Sequence, residues 1–218
     1  MAISLRKQIK TIFKTDFSVI RILLSQLYSG YLIDNGWFKS FKNKAPVDKN
    51  GSPMPWLTYP FIDFLNERLN KEMTIFEYGS GNSTLFYSSK VKSLTTIEYD
   101  RKWFDKISKV IPDNVEIIFQ EADIDGSYCR FIKNTNAKFD IIINDGWDRV
   151  NCIYNSFDSL TDNGVIILDD SERMEYKGGI DFLLHNGFKK IDFWGIAPGL
   201  LYKKCTTIFY KDDNCMNI

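Results

Sequence analysis

The sequence predicts an α/β fold: a mostly parallel seven-stranded sheet with an antiparallel last strand, helices on both faces, and a helical extension at the amino terminus. Three observations carry that prediction. From Met73 onward, runs of strand character alternate with helical runs, the pattern of a parallel sheet connected by crossover helices. Four of the strand runs are of the buried type, which suits a sheet covered on both faces. The tail breaks the alternation, because strands over 188–194 and 205–210 are separated only by a loop. That arrangement makes an antiparallel hairpin.

The elements follow in order. Residues 3–33 read as a helical segment, since Ile9, Phe13, Ile20, Leu24, Leu27 and Tyr31 form one apolar stripe. Lys7, Lys10, Lys14 and Arg21 fall on an adjacent face. The plainer reading packs the stripe on its own domain or on a dimer mate and leaves the basic face in solvent. The sharper one is a peripheral helix meeting anionic lipid or an anionic acceptor. Gly30 and the Asn35-Gly36 turn end this segment. Residues 40–56, with Pro46, Asn50-Gly51, Pro53 and Pro55, read as loop. Pro60 then opens a short helix over 61–69. Trp56 and Tyr59 beside it read as core packing, with cover over a ligand as the alternative. Strands are expected over 74–78, 93–98, 115–119, 139–144 and 164–169, and helices over 102–110, 152–160 and 178–185.

Charge and cysteine usage narrow the function classes. Basic and acidic residues balance at 28 each, but residues 1–45 hold eight basic against two acidic, a net of +6. The remainder therefore carries −6. No basic stripe accompanies the glycine-rich turn described below, so nucleic acid is a disfavoured partner. Cys129, Cys152, Cys205 and Cys215 form no CxxC pair and read as free thiols in a reducing cytoplasm. His185, the single histidine, rules out a multi-histidine metal site and reads as a solvated helix residue. The first 14 residues lack the apolar centre of a secretory leader. The most apolar window, 17–33, is interrupted by Arg21 and falls short of the roughly 20 residues of a membrane span. The expectation is a soluble, cytoplasmic protein.

The chemistry gathers around Gly79-Ser80-Gly81. A strand enters this turn, and Asn82, Ser83 or Thr84 can cap the helix that leaves it. Strand, glycine-rich turn and helix in succession hold nucleotide-like ligands at the carboxyl edge of a parallel sheet. Glu98, 17 residues after Gly81, closes the second strand where a carboxylate can accept both hydroxyls of a ribose. Glu77 adds a second negative group beside the turn. Two carboxylates there repel a pyrophosphate and suit a ligand bearing an amino group and a sulfonium. Thr84 stands where a dinucleotide fingerprint has its third glycine, and no phosphate-binding GxxxxGKS/T run exists.

On these residues, region 73–210 resembles the class I S-adenosylmethionine-dependent methyltransferases, with their Rossmann-like sheet. Glu77-Tyr78-Gly79-Ser80-Gly81 is similar to their cofactor loop, Glu98 to their ribose-binding acid, and the terminal hairpin to their antiparallel last strand. PWLTYPFIDFL, FEYGSGNST, NDGWDRVNC and IDFWGIAP together resemble small bacterial methyltransferases, some associated with surface-glycan synthesis. The resemblance implies that Gly79, Ser80, Gly81 and Ser83 line the methionine portion of S-adenosylmethionine. Glu98 and Tyr99 would meet the ribose and Asp123 the adenine amine, with a turn-forming role for Asp123 as the alternative. Asn144 would close the fourth strand beside the sulfonium. Residues 1–72 become a helical extension and acceptor-side cover, and 73–218 the methyltransferase domain.

The reaction implied is methyl transfer to oxygen of a small-molecule or glycan-type acceptor. Asp145 is the candidate general base, and Arg149 the group that neutralises an anionic acceptor; a surface ion pair Asp148-Arg149 is the plainer reading. Asp145, Asp169 and Asp170 end neighbouring strands and could together hold Mg²⁺, as in metal-dependent catechol-type O-methyltransferases, lowering the acceptor's pKa. The Asn-Pro-Pro-Tyr loop of many N-methyltransferases is replaced by NDGW. Two rival functions are a nicotinamide-dependent reductase on a related sheet and a non-catalytic scaffold docking through its basic helix.

Overall fold

The computed structural model describes residues 17–218. Among the described residues, four helices precede the sheet: α1 (Phe17–Ser25), α2 (Tyr31–Asp34), α3 (Trp37–Asn43) and α4 (Tyr59–Arg68). Alternation then begins with β1 (Thr74–Tyr78), α5 (Asn82–Ser88), β2 (Ser93–Glu98), α6 (Arg101–Ile107) and β3 (Val115–Phe119). It continues through α7 (Ser127–Asn134), β4 (Phe139–Asn144), α8 (Arg149–Ser156), β5 (Leu160–Asp169) and α9 (Lys177–His185). The chain finishes on β6 (Lys189–Gly195) and β7 (Lys204–Tyr210).

The seven strands lie in the order β3-β2-β1-β4-β5-β7-β6. All pairings from β3 to β5 are parallel, and β7 runs antiparallel to both β5 and β6. This is the expected fold. Register follows from side-chain alternation. Ile75, Ile141, Ile143, Val165 and Ile167 face a core formed with Phe61, Ile62 and Leu65 of α4. Phe76, Tyr78, Ile142, Ile166 and Leu168 face the opposite core with Tyr128, Ile132, Ile153 and Leu183 of α7, α8 and α9. Both faces are covered, which is why these strands are apolar along their length.

Three elements differ from the sequence reading. Helix α3 occupies ground read largely as loop, held by Trp37 against Leu200 and by Ser40 against Val47. Helix α7 was not anticipated: Tyr128, Cys129 and Ile132 share its one buried side, but the helix is only eight residues long. The long helix over 3–33 lies partly outside the described residues. Within them it ends at Ser25, and the chain turns at Gly30 before α2. Leu24 and Leu27 of its apolar stripe are exposed, whereas Tyr31, half-exposed, packs its ring edge-on against the buried Tyr59.

Candidate active site

Register brings several of the candidate residues to one edge. Tyr78 is level with Ile97 on one side and Asn144 on the other, and Asn144 is level with Leu168. The next residues, Gly79, Glu98, Asp145 and Asp169, therefore stand in a row at the carboxyl ends of β1, β2, β4 and β5. Strand order reverses between β1 and β4, the place where open α/β sheets bind ligands. Gly79 turns the chain there with φ of +93°, a conformation L-residues rarely adopt. A Cβ on Gly79 would meet the Asp145 carbonyl at 3.3 Å. Gly146 approaches still more closely, since a Cβ there would lie 2.2 Å from the Tyr128 hydroxyl.

Glu77, buried beneath the turn, fixes it from below. Its two carboxylate oxygens accept hydrogen bonds from Ser83 Oγ (2.5 Å) and Thr84 Oγ1 (2.6 Å). Thr84 in turn accepts the Gly81 N–H at 2.9 Å, so the residue replacing a third glycine ties loop to acid. The helix cap is Gly81, not Asn82, Ser83 or Thr84. Burial raises the Glu77 carboxyl to about 8, against the lowering bonds from Ser83 and Thr84.

A cavity of about 480 Å³ opens at this edge. It gathers Ser80, Gly81, Ser83, Asp145, Asp169 and Asp170 from the predicted set, beside Trp103 and Lys204. Lys44, Ala45, Pro46 and Trp56 form one wall, and Leu200 and Tyr202 of the β6–β7 loop another. Asn82 Nδ2 donates to the Pro46 carbonyl at 2.7 Å, and Trp56 Nε1 to the Pro198 carbonyl at 2.7 Å. These bonds seat the wall on the glycine turn and on the hairpin loop. Tyr59 is buried and packs edge-on against Tyr31, away from the lining.

The three aspartates do converge, but around cations of the chain itself. Lys204 Nζ lies 2.5 Å from Asp169 Oδ2 and 2.8 Å from Asp170 Oδ1. Arg149 reaches Asp145 at 2.9 Å, and Arg173 reaches Asp170 at 2.6 Å. A Mg²⁺ site at Asp145, Asp169 and Asp170 is therefore not shown. An ammonium and two guanidinium groups occupy the oxygens, and no cluster among the described residues is suited to a metal. Burial pushes Asp169 up to about 7, reinforced by Asp145 and opposed by Lys204. Asp145 is also raised by burial, with Arg149 opposing. Burial likewise pushes Asp170 up, yet Lys204, Arg149 and Arg173 outweigh it and leave this carboxyl lowered.

No protein-family model and no curated protein matches the chain; solved structures do. A precorrin-6y C5,15-methyltransferase from Geobacter metallireducens matches with TM-score 0.56 at 15% identity, over 78% of this chain and 96% of its own. A candidate O-methyltransferase from Klebsiella pneumoniae matches at 0.55 and 15%, over 89% and 96%. A candidate methyltransferase from Streptococcus mutans, solved in complex with S-adenosylhomocysteine, matches at 0.50 and 15%, over 68% and 94%. The chain has the class I methyltransferase fold.

Within this methyltransferase fold the remaining predicted residues lie outside the cavity lining. Glu98 is saturated by its own loop: Ser80 N and Oγ donate to one oxygen, and the N–H groups of Tyr99 and Asp100 to the other. Tyr99 is half-exposed, its ring 5.8 Å from that of Trp147. Asp123 accepts the N–H groups of Ser127 and Tyr128, capping α7. Those bonds lower its carboxyl. The Asn144 amide is wholly buried, and neither of its polar atoms finds a partner among the described residues. Arg149 is turned inward, donating to the carbonyls of Asp145, Gly146 and Asp169. Its carboxylate partners are Asp145 and Asp170, not Asp148.

Sequence reasoning missed Lys204, Trp103 and the 44–46 wall. Trp103 Nε1 donates to the Ser80 carbonyl at 2.7 Å, pinning the turn from α6. Lys204 left one signal: a lysine opening a strand whose next five residues are all buried.

Proposed function

We propose that this protein transfers the methyl group of S-adenosylmethionine to an oxygen of a small, hydroxyl-bearing acceptor, a glycan-type hydroxyl included. One observation carries the reading: a cavity at the β1/β4 switch point joins the Gly79-Ser80-Gly81 turn to the carboxylates of Asp145 and Asp169. The residues present fit that cofactor. Gly79 turns the chain sharply with φ of +93°, and the carboxylates of Glu98 and Asp145 beside the turn suit an amino group and a sulfonium better than phosphates. Ser80, Gly81 and Ser83 would hold the methionine portion, and Glu98 with Tyr99 the ribose. Glu98 accepts a ribose hydroxyl by exchanging the bond it now takes from Ser80 Oγ.

Bound there, the cofactor supplies an activated methyl group on positively charged sulfur. The protein's part is alignment and proton removal. Asp145, its carboxylate held by Arg149, would take up the proton of the acceptor hydroxyl. Lys204 and Asp169 polarise the floor of the cavity, and Arg149 orients Asp145 instead of meeting the acceptor. Trp56, Leu200 and Tyr202 give the acceptor side an aromatic and apolar wall.

Titration calorimetry with S-adenosylhomocysteine and with NAD(H) tests the cofactor. Binding of the former alone is expected, and preference for the nicotinamide would overturn the reading. Turnover with an identified acceptor should survive chelation of divalent cations, since Lys204 supplies the local positive charge.

A further inference from the structure

Helix α1 stands apart from the packed body. None of its nine residues is buried, although Phe17 is 81% and Leu23 65% exposed. At 100° per residue, Val19, Ile20, Leu23 and Leu24 share one side, while Ser18, Arg21 and Ser25 share the other. Leu27 extends the apolar side into the following turn and is also exposed. Apolar side chains gathered on one exposed side of a helix call for a cover. No helix among the described residues is long and apolar enough to cross a bilayer.

Charge selects the cover. Residues 1–45 carry a net +6 and the rest of the chain −6. Helix α1 holds Arg21 and no acidic residue, so a second copy meeting this helix through its own would set positive charge against positive charge. An anionic lipid surface meets it with opposite charge. We propose that α1 lies in the interface of an anionic phospholipid bilayer, with Leu23 and Leu24 in the acyl boundary and Arg21 among the headgroups. The inference is independent of methyl transfer, because vesicle binding reads it without turnover.

Co-sedimentation of the full chain with vesicles tests it, using phosphatidylcholine alone and phosphatidylcholine mixed with phosphatidylglycerol. The protein should sediment with the anionic vesicles and be released as salt is raised. Leu23→Glu combined with Leu24→Glu should lower the bound fraction at least ~10-fold, and Arg21→Glu by a smaller factor. Thermal unfolding of the double variant should match the parent, since α1 contributes no buried residue. Early unfolding would mean that α1 packs on its own domain, and the proposal falls. It falls equally if the protein stays in solution with anionic vesicles, or if light scattering finds a dimer that the double variant splits.

Discussion

Lys204 decides how the acids of the cavity behave. Its ammonium is buried between Asp169 and Asp170, and its own proton is held more tightly because those acids and Asp145 outweigh the opposing burial. Removing one partner of such a group leaves charge unpaired in a dry site, at a cost of about 3–5 kcal/mol. Lys204→Met should lose about that much in urea unfolding at pH 8, and less at pH 5, where the abandoned carboxyls can take up protons. Glu77 tests burial in the other direction. Its carboxyl rises from an ordinary 4.5 to about 8, so the folded chain keeps a proton that the unfolded chain releases. Stability therefore falls as pH rises from about 4.5 to about 8. Glu77→Gln should flatten that slope, a difference read from melting temperature against pH. For Asp145→Asn, a general base predicts a loss of about 100-fold or more in kcat with an identified acceptor. Binding of S-adenosylhomocysteine should be nearly unchanged. Parent-like turnover would remove Asp145 from the chemistry.

Among the elements, the turn between β1 and α5 shows why the sequence was readable there. Strand, glycines and helix are contiguous, so their geometry is local, and Glu98 follows at a spacing fixed by one crossover. Thr84 illustrates the limit of that legibility. Its presence in place of glycine is visible in the sequence, but its bonds to Gly81 and Glu77 depend on the fold of the turn. Thr84→Val leaves both partners without it in a buried place and should cost about 1–3 kcal/mol. Thr84→Ser should restore most of the loss, as measured by thermal unfolding. Helices α3 and α7 were hidden for a different reason. Each is short and held by contacts with distant residues, as Trp37 is by Leu200.

At the scale of the whole molecule, one sheet with two covered faces encloses three of the four cysteines and leaves Cys215 partly covered. A thiol-specific reagent should therefore react slowly with the native chain, with Cys215 first, and with all four once the protein is denatured. Immediate reaction of Cys129 or Cys152 would contradict the packing of α7 and α8. The cavity at the sheet edge is also a property of this scale. Its walls come from residues 44–56, the β1 turn, the ends of β4 and β5, and the final hairpin.

Local order along the chain determined the strands, their buried character, the glycine turn and the carboxylates that end β1, β2, β4 and β5. Hydrophobic period, turn residues and crossover spacing act over a few residues, so the sequence displays them directly. Only the tertiary structure decided what those carboxylates face. Lys204 arrives on an antiparallel strand 35 residues after Asp169, and no local pattern announces that an ammonium will take the place a metal could have held. The same distance hid the wall at Lys44–Pro46, which reaches the glycine turn through one side-chain bond from Asn82. Burial, the cause of the shifts at Glu77, Asp145 and Asp169, exists only once both faces of the sheet are closed.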